Sequence, residues 1–238
     1  MKKNIDSKRI MLAHSEAKVE FFKTYLERYL RILYLAPIIE EINIFDIFCG
    51  TGIYDNDKKG SPIVAFDAIK KLREEFGYQK KINLIVNDSK QEKVSIVQNY
   101  IASNNNDDCE VKYFNQSADL MFKEVINSIN LQNRKARNLI FIDPYGYKEI
   151  RKSTLQELME NKRTEIILFL PISQMQRFTT KAIESDLEPY KPLRNFVYSF
   201  FEDNHPIRQQ TVSAIDYIEH LKEALRFNSY FSTSYYIQ

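Results

Sequence analysis

Five short apolar runs, at 43–48 (NIFDIF), 81–86 (KINLIV), 111–114, 138–142 (NLIFI) and 165–170 (EIILFL), alternate with stretches of helical periodicity. A run that is apolar at nearly every position suits a strand buried on both faces, as in a parallel sheet. Regular alternation of such runs with helices specifies an α/β fold joined by right-handed crossovers. The expected fold class is therefore α/β: a Rossmann-like, doubly wound, mostly parallel sheet. The chain has 238 residues, of which 44% are apolar and 28% charged, enough to bury a core without metal or disulfide.

The helical stretches can be placed by their apolar spacing. Residues 15–34 repeat Val19, Phe22, Leu26, Tyr29 and Leu33, with Ser15 as an expected cap. Residues 62–75 repeat Ile63, Phe66, Ile69 and Leu72 behind Pro62, a good first helical residue. Further helices are expected at 90–102, 120–129 and 150–160. Beyond 171 the strand rhythm stops, and helices are expected at 174–186, 190–202 and 208–226. Residues 229–237 alternate and are rich in Tyr and Phe, which reads as a last strand. The organisation is thus one domain over 1–238. A helical cap (1–40) precedes the α/β core (41–170), then a substrate-facing helical insertion (171–228) and a terminal strand (229–238).

Charge and cysteine content narrow the setting. Thirty-four Lys and Arg against 32 Asp and Glu give a net charge of +2, so any affinity for nucleic acid must be local. Lys58, Lys59, Lys148 and Arg151 follow loops at the ligand edge and are the candidates for phosphate contact; clusters such as Lys70-Lys71-Arg73 read mostly as solvated faces. Two cysteines, Cys49 and Cys109, make neither a metal set nor an expected disulfide, and no run reaches the length of a membrane span. A cytoplasmic protein is expected, without a membrane partner. His14, His205 and His220 show no metal-ligand spacing, and no metal is expected.

Open parallel sheets bind ligands outside the carboxyl ends of their strands. Four strand ends here carry unusual residues. Asp46-Ile-Phe48-Cys-Gly50-Thr-Gly52 follows the first run, and its two glycines permit positive φ and close backbone approach. It lacks the Gly-Lys-Ser/Thr of a phosphate-cradling loop and the third glycine of the dinucleotide fingerprint. Asp88 follows the second run and could accept hydrogen bonds from ribose hydroxyls, or cap the helix at 90–102. Ser117 and Asp119, in Gln116-Ser-Ala-Asp119, could touch an adenine edge or cap the next helix. Asp143-Pro144-Tyr145-Gly146 follows the fourth run. It sets a hydrogen-bond acceptor beside a flat stacking ring, which suits a planar substrate with an exocyclic amine.

Together these motifs resemble class I S-adenosylmethionine-dependent methyltransferases. More narrowly, the chain resembles the three-Cys-motif partner protein (TcmP) family. The resemblance rests on His14 to Leu33, Phe48-Cys49-Gly50-Thr51-Gly52-Ile53-Tyr54, Gly60-Ser61-Pro62-Ile63-Val64-Ala65, Phe141-Ile142-Asp143-Pro144-Tyr145-Gly146, the run at 165–170 and Arg177. Cys49 and Thr51 stand where that family usually has Ala and Pro, and its members usually continue beyond the point where this chain stops. The Asp-Pro-Tyr-Gly loop also looks like that of tRNA guanine-N2 dimethyltransferases.

The resemblance implies S-adenosylmethionine as cofactor, held by Asp46, Phe48, Gly50, Gly52, Asp88, Ser117 and Asp119. The four strand-end motifs in one sheet lead to the expectation of methyl transfer to an exocyclic amine of a nucleic-acid base, DNA or RNA, at Asp143, Pro144, Tyr145 and Gly146. A non-catalytic binding or effector subunit, working with a partner protein, is the competing reading.

Overall fold

The computed structural model describes residues 10–104 and 108–227, so the expected terminal strand at 229–237 lies outside the described residues. In chain order the elements are α1 (Ala13–Leu35), β1 (Glu41–Asp46), α2 (Ser61–Phe76), β2 (Lys81–Asn87), α3 (Gln91–Ala102), β3 (Glu110–Phe114), α4 (Ala118–Leu131), β4 (Ala136–Ile142), α5 (Lys152–Met159), β5 (Thr164–Leu168), α6 (Ile172–Glu184), a 3-10 turn (Glu188–Tyr190), α7 (Lys191–Phe200), α8 (Pro206–Gln209) and α9 (Ala214–Ala224). Among the described residues one compact unit takes those up to Ile142 together with Arg163–Leu168; a second takes Asp143–Lys162 and those from Phe169 on.

The first unit is built on the sheet. Its five strands run in the order β3-β2-β1-β4-β5, and every pairing is parallel. This is the doubly wound, Rossmann-like arrangement, with the strand order reversing between β1 and β4. The three inner strands are almost wholly buried, whereas β3 at one edge alternates between exposed and half-buried residues. β1 begins two residues earlier than its apolar run suggests and stops at Asp46. Ile47 and Phe48 already belong to the turn, because their backbone bends toward the following glycines.

One row of the sheet is polar. Asn83, Asn43, Asn138 and Thr164 stand opposite one another across β2, β1, β4 and β5, all buried. Asn83 Nδ2 donates to Asn43 Oδ1 at 2.6 Å and to Glu41 Oε1 at 2.6 Å, and Asn43 Nδ2 donates to Asn138 Oδ1 at 3.3 Å. Asn83 Oδ1 and Asn138 Nδ2 end this ladder, buried and without hydrogen-bond partners among the described residues. The two rows that follow it, Ile44–Leu84–Leu139 and Phe45–Ile85–Ile140, are aliphatic and aromatic.

α1 and α2 pack against each other. Helix α1 buries Phe22, Leu26, Tyr29, Leu30 and Tyr34, and Phe22 meets Phe141 of β4 with ring centroids 4.2 Å apart. Each such side chain contributes roughly 1.5–3 kcal/mol by leaving water. Leu30 and Tyr34 take the buried places expected of Val19 and Leu33, which are half-buried. Ser15 is not the cap: the Leu12 carbonyl already accepts the Ser15 and Glu16 amides, so the helix starts before it. Arg73 also departs from expectation. It is buried, donates to the carbonyls of Asp108 and Lys80 at 2.8 Å each, and lies 5.0 Å from the Tyr78 ring centroid.

The second unit is helical. Its core joins Met175 and Thr179 of α6, Phe196 and Phe200 of α7, Ile207 of α8 and Tyr217 of α9. Phe196 and Phe200 stack at 4.2 Å, and the Tyr217 hydroxyl lies 3.1 Å from Thr179 Oγ1. The single helix expected at 208–226 is two. Ser213 Oγ accepts the Asp216 amide at 3.1 Å and donates to its carboxylate at 2.7 Å, so a new helix starts there instead of continuing α8.

Candidate functional site at the carboxyl ends of β1 and β2

The chain leaves β1 beside β4 and turns toward β2. The Ile47 amide still donates to the Phe141 carbonyl at 3.2 Å, but the Cys49 amide donates to the Asn87 carbonyl at 2.9 Å. Gly50 and Gly52 then take φ of +62° and +70°, the left-handed backbone that glycine adopts without steric cost. Gly52 is the tighter of the two: a Cβ there would stand 2.6 Å from Val97 Cγ2 and 3.3 Å from Ile63 Cγ1. The loop closes on itself, with the Gly60 amide donating to the Gly52 carbonyl at 2.6 Å and Ile53 bridging Lys59. Ser61 opens α2 and donates its hydroxyl to Asp46 Oδ2 at 2.6 Å; Asp46 is fully buried and holds the helix start against the strand end.

Asn87 and Asp88 divide the work at the end of β2. Asn87 is the last strand residue and faces inward. Its Nδ2 donates to the carbonyls of Ile47 and Gln116 at 3.0 and 3.3 Å, and its Oδ1 accepts the Gln116 amide at 3.0 Å. One amide side chain therefore ties the loops after β1, β2 and β3 together. Asp88 is the first residue past the strand. Its Oδ2 accepts the Gly50 amide at 3.2 Å and lies 3.2 Å from Lys93 Nζ; its Oδ1 accepts the Lys90 amide at 3.0 Å. The N-cap position of α3 is Lys90, so Asp88 braces the entry to the helix two residues earlier. Asn115 Nδ2 donates to the Asp88 carbonyl at 2.9 Å.

The structure thus brings Gly50 and Asp88 together and sets Asp46 beneath them as a buried support. Phe48 packs edge-on against Phe122 of α4 with centroids 6.5 Å apart. Ser117 is the N-cap residue of α4 without a side-chain cap bond, and Asp119 lies in its first turn; both are exposed. Asn87, Lys93, Ser61 and Gly60 complete the site. The Gly-Ser-Pro string before α2 was visible in the sequence, whereas Lys93 carried no signal beyond its place in a first helical turn. Burial raises the Cys49 thiol far above its ordinary value, with Asp46 and Asp88 adding to the effect.

Asp143, Pro144, Tyr145 and Gly146 belong to the second unit. Pro144 is buried, Asp143 half-buried, and Gly146 takes φ of +126°. Tyr145 is 92% exposed. Behind it Tyr147 packs edge-on against Phe196 at 6.0 Å. The same unit carries an open groove of about 520 Å³ lined in part by Lys152, Tyr198, Asp203 and Arg208. Of the basic candidates, Lys58 pairs with Glu16 at 2.5 Å, Lys59 with Asp67 at 2.7 Å and Lys148 with Glu149 at 3.2 Å; Arg151 is exposed at the start of α5. These pairings reduce the local positive field below what the lysine count suggests.

Among the described residues no three His, Cys, Asp or Glu side chains gather as a metal set, and no helix is long and apolar enough to cross a membrane. No protein-family model matches the chain, and no curated protein does. Among solved structures the chain is similar to one of loganic acid methyltransferase with SAH, at 11% identity and a TM-score of 0.38. That match covers 70% of this chain and 55% of the other, so the chain spans little more than half of that protein's length. The strand order of the sheet itself gives the fold class: a Rossmann-like, doubly wound parallel sheet, carrying a glycine loop and a carboxylate at the ends of β1 and β2.

Proposed function

We propose that the chain is an S-adenosylmethionine-dependent methyltransferase acting on an exocyclic amine of a nucleic-acid base. The observation that carries this reading is the Gly50 amide bonded to the Asp88 carboxylate outside the carboxyl ends of β1 and β2, next to the point where the strand order reverses. The residues present suit an adenosine cofactor. Asp88 is an acceptor placed for a ribose, Gly50 and Gly52 allow close approach of backbone, and Thr51 Oγ1 between them is buried with no hydrogen-bond partner among the described residues. When bound, the cofactor supplies an electrophilic methyl group.

The chain's own part is alignment, which can lower a barrier by several kcal/mol without acid–base chemistry. Asp143 would accept a hydrogen bond from the target amine and orient its nitrogen lone pair. Tyr145 offers its exposed ring as the stacking surface for the base. Pro144 and Gly146 fix the loop between them. The basic and aromatic loops carry the nucleic-acid contact, and the strand-end motifs resemble those of the TcmP family, a resemblance that brings the expectation of a protein partner.

Calorimetric titration with S-adenosylmethionine, with NAD as control, tests the cofactor. Micromolar binding lost in Asp88→Ala supports the reading, and no binding removes it. Asp143→Ala should abolish methyl transfer to total RNA or DNA while leaving cofactor affinity within about two-fold. Full activity in that variant would remove Asp143 from the mechanism. Cofactor binding without any transfer, in a chain that copurifies with a second protein, would favour the effector-subunit reading.

A further inference from the structure

The Asp88 carboxylate has too few open positions for a ribose. An ionised carboxylate offers about four lone-pair sites, two on each oxygen. Oδ2 already serves the Gly50 amide and the Lys93 ammonium, both at 3.2 Å, and Oδ1 serves the Lys90 amide at 3.0 Å. One site remains, on Oδ1. A 2′,3′-diol presents two hydroxyl donors, so one of the three groups must give way for both to bond.

The three are not equally movable. The Gly50 and Lys90 amides are main chain, and losing either would open the glycine loop or the entry to α3. Lys93 is a flexible side chain, 19% exposed, held against a carboxylate that is 9% exposed. It also sits in the first turn of α3, where the positive end of the helix dipole disfavours a cation. Asp88 is its one acidic partner among the described residues. Its release therefore relieves one unfavourable interaction while breaking one favourable pair.

We infer that Lys93 is a displaceable plug that sets ligand specificity at Asp88: its ammonium holds the Oδ2 position taken by the second hydroxyl of a ribose diol, and leaves when a ribonucleoside binds. The inference rests on the reading of Asp88 as the ribose acceptor. Lys93 acts through Asp88 and is a positioning residue. Two consequences separate it from a merely structural ion pair. Ligands with both hydroxyls must expel Lys93, whereas ligands with one hydroxyl use the open Oδ1 site and leave it in place. Removing the ammonium therefore helps the first class alone.

The test is calorimetric titration of the full chain with S-adenosylhomocysteine, adenosine, 2′-deoxyadenosine and 3′-deoxyadenosine, in wild type, Lys93→Met, Lys93→Arg and Asp88→Ala. In Lys93→Met, affinity for the two diol ligands should rise by about two- to five-fold, the size of a partly exposed ion pair, and the deoxynucleosides should not change. Lys93→Arg, whose fork can engage both carboxylate oxygens, should weaken the diol ligands and keeps the proposal testable if the methionine variant does not fold. Equal shifts for all four ligands, or none, would overturn the plug while leaving Asp88 as the acceptor. Binding that survives in Asp88→Ala, or no binding by any variant, would overturn the ribose reading and the plug with it.

Discussion

Gly50 and Gly52 share left-handed backbone, yet a methyl group added to each meets different surroundings. At Gly50 the nearest atom is the Tyr54 hydroxyl at 3.8 Å, so Gly50→Ala carries only the conformational penalty, about 1–2 kcal/mol. At Gly52 the methyl collides with Val97 as well, so Gly52→Ala should cost about 2–4 kcal/mol and loosen α3 against the loop. Thermal unfolding of the two variants checks the difference; equal losses would mean that the Val97 contact relaxes freely. The Gly-x-Gly string is plain in the sequence, but the partner that makes its second glycine strict is 45 residues away and is not. The same holds for Asn87 and Asp88. An acid after an apolar run can be read directly, whereas the inward amide that ties three loops together is legible only once β2 is seen to end at Asn87.

At the scale of elements, the alternation of apolar runs and helices located all five described strands, the three inner ones because burial on both faces leaves an unbroken apolar run, the edge strands β3 and β5 by their place in the alternation. Their ends slipped by one or two residues, since apolar character continues past the last ladder bond at Phe48 and stops before the first at Glu41. The break between α8 and α9 was harder to see: the cap at Ser213 competes with an unbroken polar helix, and only the Ser-x-x-Asp spacing marks it. Helix α8 has a cap that titrates. His205 Nδ1 accepts the Ile207 amide at 3.2 Å, and its ring lies 4.7 Å from that of His220. Burial first, then His220 and Lys152, hold the His205 pKa below its ordinary 6.5, against the opposing pull of Glu223 and Glu202. The folded form thus prefers neutral imidazole while the unfolded chain takes up the proton. The stability this gives is present above pH 6.5 and is lost as pH falls toward the lowered value. The protection of the α8 amides, relative to intrinsic exchange at each pH, should fall as pH drops below that value in the wild type. It should not in His205→Asn, which keeps an acceptor that cannot titrate.

For the molecule as a whole, the alkaline side brings a further loss. Burial pushes the Cys109 thiol from 9.0 up to about 12, with Asp108 adding to it, and raises Cys49 further still. Burial likewise lifts the Tyr217 hydroxyl from 10.0 to about 12. Between the unfolded and folded values the unfolded chain has released protons that the folded chain retains, so stability falls as pH rises from about 9. Urea midpoints measured between pH 8 and pH 11 should decline, and Cys109→Ala should decline less steeply; parallel slopes would mean that Cys109 ionises without unfolding.

The polar row across the sheet bears on how this chain finds its fold. To a collapsing chain, apolar strands of similar length are nearly interchangeable, and a strand displaced by one or two steps hides almost as much hydrocarbon as the native arrangement. Asn83, Asn43, Asn138 and Thr164 remove that degeneracy, because a displaced strand sets an amide against a hydrocarbon neighbour with nothing to bond. In the native pairing the amides largely satisfy one another, yet two of their atoms have no partner among the described residues, so the row is a poor source of equilibrium stability. Replacing Asn43, Asn83 and Asn138 together with Leu should leave the urea midpoint unchanged or higher. Refolding followed by tyrosine fluorescence should then split into several phases where the wild type has fewer. The amides act as a combination lock on assembly, and their worth is measured in wrong structures that the chain never has to escape.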